Sequence, residues 1–310
     1  MKTEERKRLP SGLVGWMIYY SRPWILLAGA AFSFLGIGVL DYLGPGVDWD
    51  IFWLGLVLVL SLLVSSSYLK AHFDQIDVAY KGKWIVEQNL ETEGLVKLPR
   101  QIFLLSGLTA LTIAAVCVVL LGSVHGLSGG TYVLLVIAFL IALFFGVPPV
   151  RLVYSGWGEI SQTALLAVVI PALTFMLQTG ELNRLLSMLT FPPALMVLAL
   201  FLAQSFEHFG KDKYLERGSL LERINWQKGS CVHNILLLAA FLLVMLAALM
   251  GQLWALTWPM LLSLPFAVFQ VFQMVRITRG ARPDWRLLRL TSFATAAVTL
   301  YSIIIALFTG

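Results

Sequence analysis

The chain has 310 residues, 59% of them hydrophobic and 13% charged, with a mean hydropathy of +0.84 and a formal net charge of +5. About a quarter of the residues of a soluble globular domain are charged, so this composition excludes that class and indicates a multi-pass membrane protein. The positive balance suggests a nucleic-acid partner only if its placement along the chain is ignored, and none is expected once it is placed.

The N-terminal stretch MKTEERKRLPSGLVGW is charged and amphipathic, and no small-residue cleavage site follows it. Residues 1–22 therefore read as retained cytoplasmic sequence rather than a signal peptide. Apolar segments then cover 24–40, 51–68, 102–121, 131–147, 160–177, 185–206, 235–250, 253–274 and 287–308. About 20 apolar residues cross the hydrocarbon core as a helix, the form that satisfies its own backbone groups in lipid. The expected fold class is an all-α integral membrane protein, a single membrane domain over 1–310 with about nine transmembrane helices. Cys117 and Cys231 have no metal-ligand spacing and read as packing residues.

With the N-terminus placed inside, every lysine and arginine except Arg184 falls on the same side of the membrane. The opposite loops, such as DYLGPGVDWD and GSVHGLSGGTY, are acidic or neutral. This is a strong positive-inside pattern and predicts a cytoplasmic N-terminus and an external C-terminus. The basic excess is then topology, together with attraction to anionic lipid or anionic substrate.

Two inside segments stand out, 70–101 and 207–230, read as cytoplasmic loops that cap a candidate active site. The first carries Lys70, His72, Asp74, Asp77, Lys81 and Lys83; the second carries Glu207, His208, Lys211, Asp212 and Lys213. Asp74 and Asp77, at i and i+3, share a helix face if the segment is helical. Carboxylates can hold Mg²⁺, the ion can hold diphosphate oxygens, and lysines can neutralise the remaining charge. The competing reading is that these are solvated loops whose charges only mark the cytoplasmic side. A His/Asp site for Zn²⁺ is a third option, weakened because histidine is also an ordinary interfacial residue. A transporter is disfavoured because the spans hold almost no charge.

The chain resembles the UbiA superfamily of intramembrane prenyltransferases, most closely its menaquinone-type branch. The residues that carry the resemblance are Arg22-Pro23 ahead of the first span, GVPPVRLVYSGWGE at 146–159, and RPDWRLLRLTSFATAAVTLYSIIIAL at the C-terminal end. The resemblance implies a polyprenyl diphosphate held through Mg²⁺ by two Asp-rich motifs, after helices two and six. Here KAHFD at 70–74 stands at the first motif, with Asp74 at its second carboxylate and Lys70 where asparagine is usual. The second motif falls on QSFEHFGKD at 204–212, with Asp212 at its second carboxylate and His208 at its first. The implied roles are Asp74 and Asp212 as catalytic residues, and Asp74, Asp77, Glu207 and Asp212 as Mg²⁺ ligands. Lys70, Lys81, Lys83, Lys211, Lys213 and Arg151 would bind the diphosphate. His72 and His208 are departures from the motifs, and Glu159 and Arg151 would shape or close the cavity.

The implied activity is transfer of a polyprenyl group from its diphosphate to an aromatic or other lipophilic acceptor, as in quinone biosynthesis. The expected setting is a bacterial or archaeal cell membrane with the active face cytoplasmic. Two other readings stay open because the acidic motifs are eroded. One is an inactive relative that binds a lipid or isoprenoid or serves as a subunit of a membrane complex. The other is a terpene cyclase of the same superfamily.

Overall fold

The computed structural model describes residues 12–81, 99–214, 218–249 and 254–309; the side chains of 76–81, 211, 213 and 214 fall outside the description. A short helix, α1 (Gly12–Tyr20), precedes the first long one, α2 (Pro23–Leu43). There follow α3 (Trp49–Lys81), α4 (Arg100–His125), α5 (Gly129–Phe144) and α6 (Gly158–Thr179). Beyond them lie α7 (Arg184–Tyr214), the short α8 (Leu220–Ile224), α9 (Trp226–Leu249), α10 (Trp254–Thr278) and α11 (Trp285–Thr309).

Eight of these helices are long and apolar enough to cross a membrane. The predicted fourth span is α5, a shorter apolar helix of 16 residues. The two charged segments do not leave their helices as loops where expected. α3 continues through residues 70–81 and α7 through 207–214. The reason is local: AHFDQIDVAYK and EHFGKDKY hold no proline, so once the chain leaves the apolar run nothing ends the helix.

Burial separates inner from outer helices. In their most apolar stretches α6 is 72% buried and α3 and α7 are 67% buried, against 28% for α4 and α9. α3 packs along α4, α7 along α9, and α2 along the second half of α6. α11 lies against α7, α10 and α2, which closes the bundle between its first and last long helices. Close approach of α2 to α6 depends on Gly36, where a β-carbon would lie 2.6 Å from the Pro171 carbonyl oxygen. Within α6 the segment Leu165–Val169 is a π-helix just ahead of Pro171, a residue that cannot donate to the ladder.

The last three long helices are tied by a buried polar network. Gln270 Nε2 donates to His233 Nε2 at 2.8 Å and to Ser292 Oγ at 2.7 Å. His233 Nδ1 pairs with Asn234 Oδ1 at 3.1 Å, which assigns the ring proton to Nδ1. In the hydrocarbon layer such groups must be satisfied within the protein, and this network joins α9, α10 and α11.

Candidate functional site

The polar centre starts on α3. Lys70 Nζ donates to Asp74 Oδ2 at 2.7 Å, one helical turn away. A cation N-terminal to an acid is the weaker order for such a pair on an isolated helix, so other contacts must hold it. They come from the segment after α5. Arg151 Nη2 donates to Asp74 Oδ1 at 3.3 Å, and Tyr154 Oη donates to the same oxygen at 2.7 Å. Asp74 is only 6% exposed. Lys70 and Arg151 also lie over the Tyr154 ring, at 5.5 and 5.0 Å from its centroid, within the range for cation–π attraction.

Gly146 allows this segment to close on α3, since a β-carbon there would lie 2.6 Å from Lys70 Cβ. Arg22 lies in the junction of α1 with α2. Both Arg22 (φ 56°) and Arg151 (φ 43°) have left-handed backbones, a conformation that costs a non-glycine residue about 1–2 kcal/mol. Strain of this kind persists only where the surroundings enforce it, and here two strained positions carry guanidinium groups to one end of the bundle. Burial lowers the Arg22 pKa from its ordinary value to about 10, with Tyr154 and Asp74 acting the other way. Arg22 therefore stays cationic at neutral pH.

Beside this cluster lies a cavity of about 210 Å³ whose walls include Arg22, Lys70, Tyr154, Glu159, His208 and Asp212. A single water needs roughly 10–15 Å³ on the same measure, so the space admits a polyatomic ligand. Glu159, in the first turn of α6, accepts from Ser205 Oγ at 2.7 Å and from the Leu220 backbone N–H at 3.4 Å. An isolated bridge pairs Ser155 with Gly218. The 155–159 segment is thereby joined to α7 and to the start of α8.

An apolar groove of about 240 Å³ lies between α2, α7 and α11, lined by residues that include Trp24, Ala31, Phe201, Ala296, Leu300 and Tyr301. Phe201 is a wall of both spaces, and its ring lies 5.7 Å from that of Trp24.

Of the residues expected at the site, Lys70, Asp74 and Arg151 form the cluster, and His208 and Asp212 line the cavity. His72 does not join them: its Nδ1 lies 3.1 Å from the Arg100 carbonyl oxygen and its ring packs edge-on against Phe73. Glu207 accepts from Arg289 Nη1 at 3.1 Å and is not among the cavity walls. The side chains of Asp77, Lys81, Lys211 and Lys213, and the whole of Lys83, lie outside the described residues. Tyr154, Arg22 and Ser205 are functional candidates that the sequence did not single out. Tyr154 and Arg22 sit in two of the three segments that carried the family resemblance, but spacing does not reveal which charge each one meets.

The described residues do not fit Mg²⁺ at Asp74. Mg²⁺ requires near-octahedral oxygen ligands, whereas both Asp74 oxygens accept from cationic or phenolic donors and an ammonium stands in the ion's place. Glu207, expected to share an ion with Asp74, instead pairs with Arg289 of α11. Among the described residues no group of three or more His, Cys, Asp or Glu side chains is arranged to hold a metal.

No protein-family model and no curated protein matches the chain by sequence. Solved structures do match. A digeranylgeranylglyceryl phosphate synthase superposes with a TM-score of 0.66 at 12% identity, over 96% of this chain and 99% of that one. A UbiA homologue from Archaeoglobus fulgidus bound to GPP and Mg²⁺ gives 0.61 at 13% identity, over 93% and 99% of the two chains. The same homologue bound to DMAPP and Mg²⁺ gives 0.61 at 12% identity, over 93% and 98%. At these identities the likeness shows the fold alone, one that the chain shares with these solved UbiA homologues.

Proposed function

We propose that this UbiA-fold chain is an intramembrane prenyltransferase. It takes the diphosphate head of a polyprenyl diphosphate into the polar cavity, lays the prenyl chain along the apolar groove, and passes the prenyl group to a lipophilic acceptor. The observation that carries this reading is Phe201, a wall shared by a cation-lined cavity and an apolar groove. A molecule with an anionic head and a long hydrocarbon tail matches that pair of surfaces. The positive-inside pattern supports a cytoplasmic cavity, facing the aqueous supply of diphosphates, and the neighbours solved with GPP and DMAPP support the substrate class.

In this reading Lys70 and Arg22 neutralise the charge that grows on the departing diphosphate as the allylic C–O bond breaks. Fixed charges aimed at such a group are the largest catalytic lever available in a site shielded from water. The Phe145, Phe201 and Tyr154 rings line the cavity where the carbocation develops and attract it through their π faces. The acceptor's electron pair forms the new bond to the allylic carbon, and its proton passes to a cavity carboxylate, Glu159 or Asp212. Asp74 touches no substrate here. It is a positioning residue for Lys70, Arg151 and Tyr154.

The test is product formation by the purified full chain in lipid nanodiscs with radiolabelled geranylgeranyl diphosphate and a panel of aromatic and lipid acceptors. Arg22→Gly is expected to lower turnover at least tenfold. Turnover unchanged by both Arg22→Gly and Lys70→Met would refute the assignment of the cavity. The sealed Asp74 favours a second reading, an isoprenoid-binding relative without turnover. Tight binding of the same diphosphate with no product from any acceptor would establish that one.

A further inference from the structure

We infer that the chain holds the diphosphate without a metal ion, the Lys70 ammonium taking the place between carboxylate and phosphate that a divalent cation would otherwise fill. The inference rests on the proposed substrate class and deepens it by naming how the head group is held. Three independent features of the site lead to it.

The first is occupancy. A metal bridge needs a carboxylate oxygen open towards the ligand, and Asp74 offers none. Oδ2 is taken by Lys70 at 2.7 Å, and Oδ1 by Tyr154 at 2.7 Å and Arg151 at 3.3 Å. An incoming ion would have to expel an ammonium and settle beside a guanidinium, both of its own sign.

The second is the spare donor capacity of the cations. A lysine ammonium carries three donors. Lys70 uses one on Asp74 and is also a cavity wall, which leaves two N–H donors for a ligand bound beside it. Arg22 lines the same cavity and makes no ion pair among the described residues. Its planar fork suits phosphate oxygens in a bidentate mode.

The third is the rigidity of the mount. Lys70 is fixed by its bond to Asp74, by the Tyr154 ring beneath it and by the Gly146 backbone packed on its own. Asp74 is locked in turn by two residues from a different segment. A metal provides a fixed charge through its coordination shell. Here hydrogen bonds and packing give an organic cation the same fixity. Of the two carboxylates among the cavity walls, Glu159 has both oxygens engaged by Ser205 and the Leu220 N–H, and among the described residues Asp212 is not grouped with two further His, Cys, Asp or Glu side chains around a place for an ion.

The experiment is equilibrium binding of radiolabelled geranyl diphosphate to the purified full chain in nanodiscs, once with excess EDTA and once with excess Mg²⁺. The expected result is binding in EDTA with a Kd within about threefold of that in Mg²⁺. Lys70→Met is expected to weaken binding about tenfold or more in both buffers, as loss of a charge-assisted hydrogen bond does, while Lys70→Arg retains most of it. A protein-detected titration with Mn²⁺ alone, read by electron paramagnetic resonance, is expected to show no tight site. Binding that appears only with Mg²⁺ would overturn the inference and leave the proposed substrate class standing. Binding in neither buffer by the folded wild-type chain would overturn both. Unchanged affinity in folded Lys70→Met would overturn the role of the ammonium.

Discussion

Asp74→Ala probes the centre of the site most directly. The carboxylate is 6% exposed and ties one cation from its own helix to a cation and a phenol from the 151–154 segment. Removing one partner of a buried ion pair typically costs about 3–5 kcal/mol, because a charge is left uncompensated. The Lys70 and Arg151 side chains keep 24% and 19% of their surface exposed, so water screens the stranded charges and the expected loss is about 2–3 kcal/mol. Adding Lys70→Met to the alanine variant removes one of the two stranded cations and should restore roughly half of that, about 1–1.5 kcal/mol. The assay is a double-mutant cycle of wild type, Asp74→Ala, Lys70→Met and the double variant, by equilibrium unfolding in mixed micelles. Independent sites add to within about 0.3–0.5 kcal/mol. Additivity at that level would refute the claim that Asp74 organises the cluster.

Arg22→Gly relieves a left-handed backbone, worth about 1–2 kcal/mol, and gives back about 0.5–1 kcal/mol in unfolded-state entropy. Its unfolding midpoint should match or exceed wild type while diphosphate affinity falls, a dissociation that parallel melting and binding curves would reveal. Wild-type stability should rise with pH above about 10, since there the unfolded chain still holds the Arg22 proton that the folded chain has released; urea or detergent unfolding in that range should lose the corresponding slope in Arg22→Gly. Gly146→Ala drives a β-carbon into Lys70 and should destabilise by about 1–3 kcal/mol, with lower yield of folded protein on size exclusion. Ala296→Trp fills the apolar groove and is expected to weaken binding of a long-chain prenyl diphosphate more than tenfold while sparing inorganic pyrophosphate, measured by competition.

The all-helical membrane class was legible in the sequence because hydrocarbon thickness and backbone satisfaction leave little else for runs of about 20 apolar residues. The resemblance carried by GVPPVRLVYSGWGE led to the UbiA-type fold, which the solved structures share at 12–13% identity. The end of the bundle that holds the candidate site could also be found, since Lys70, Asp74, Arg151, His208 and Asp212 do gather there. The partners of these charges could not be read in advance. Asp74 reads as a metal ligand until Arg151 and Tyr154, 77 and 80 residues away in sequence, are seen on its oxygens. Glu207 reads as its companion until Arg289 is seen beside it, 82 residues on. A carboxylate's role depends on which charges stand within a few ångströms, and those come from segments that only packing brings together. The residue types and their helices were written in the local sequence. Whether Asp74 faces an ion or an ammonium was decided by the close approach of Gly146 and the left-handed turn at Arg151.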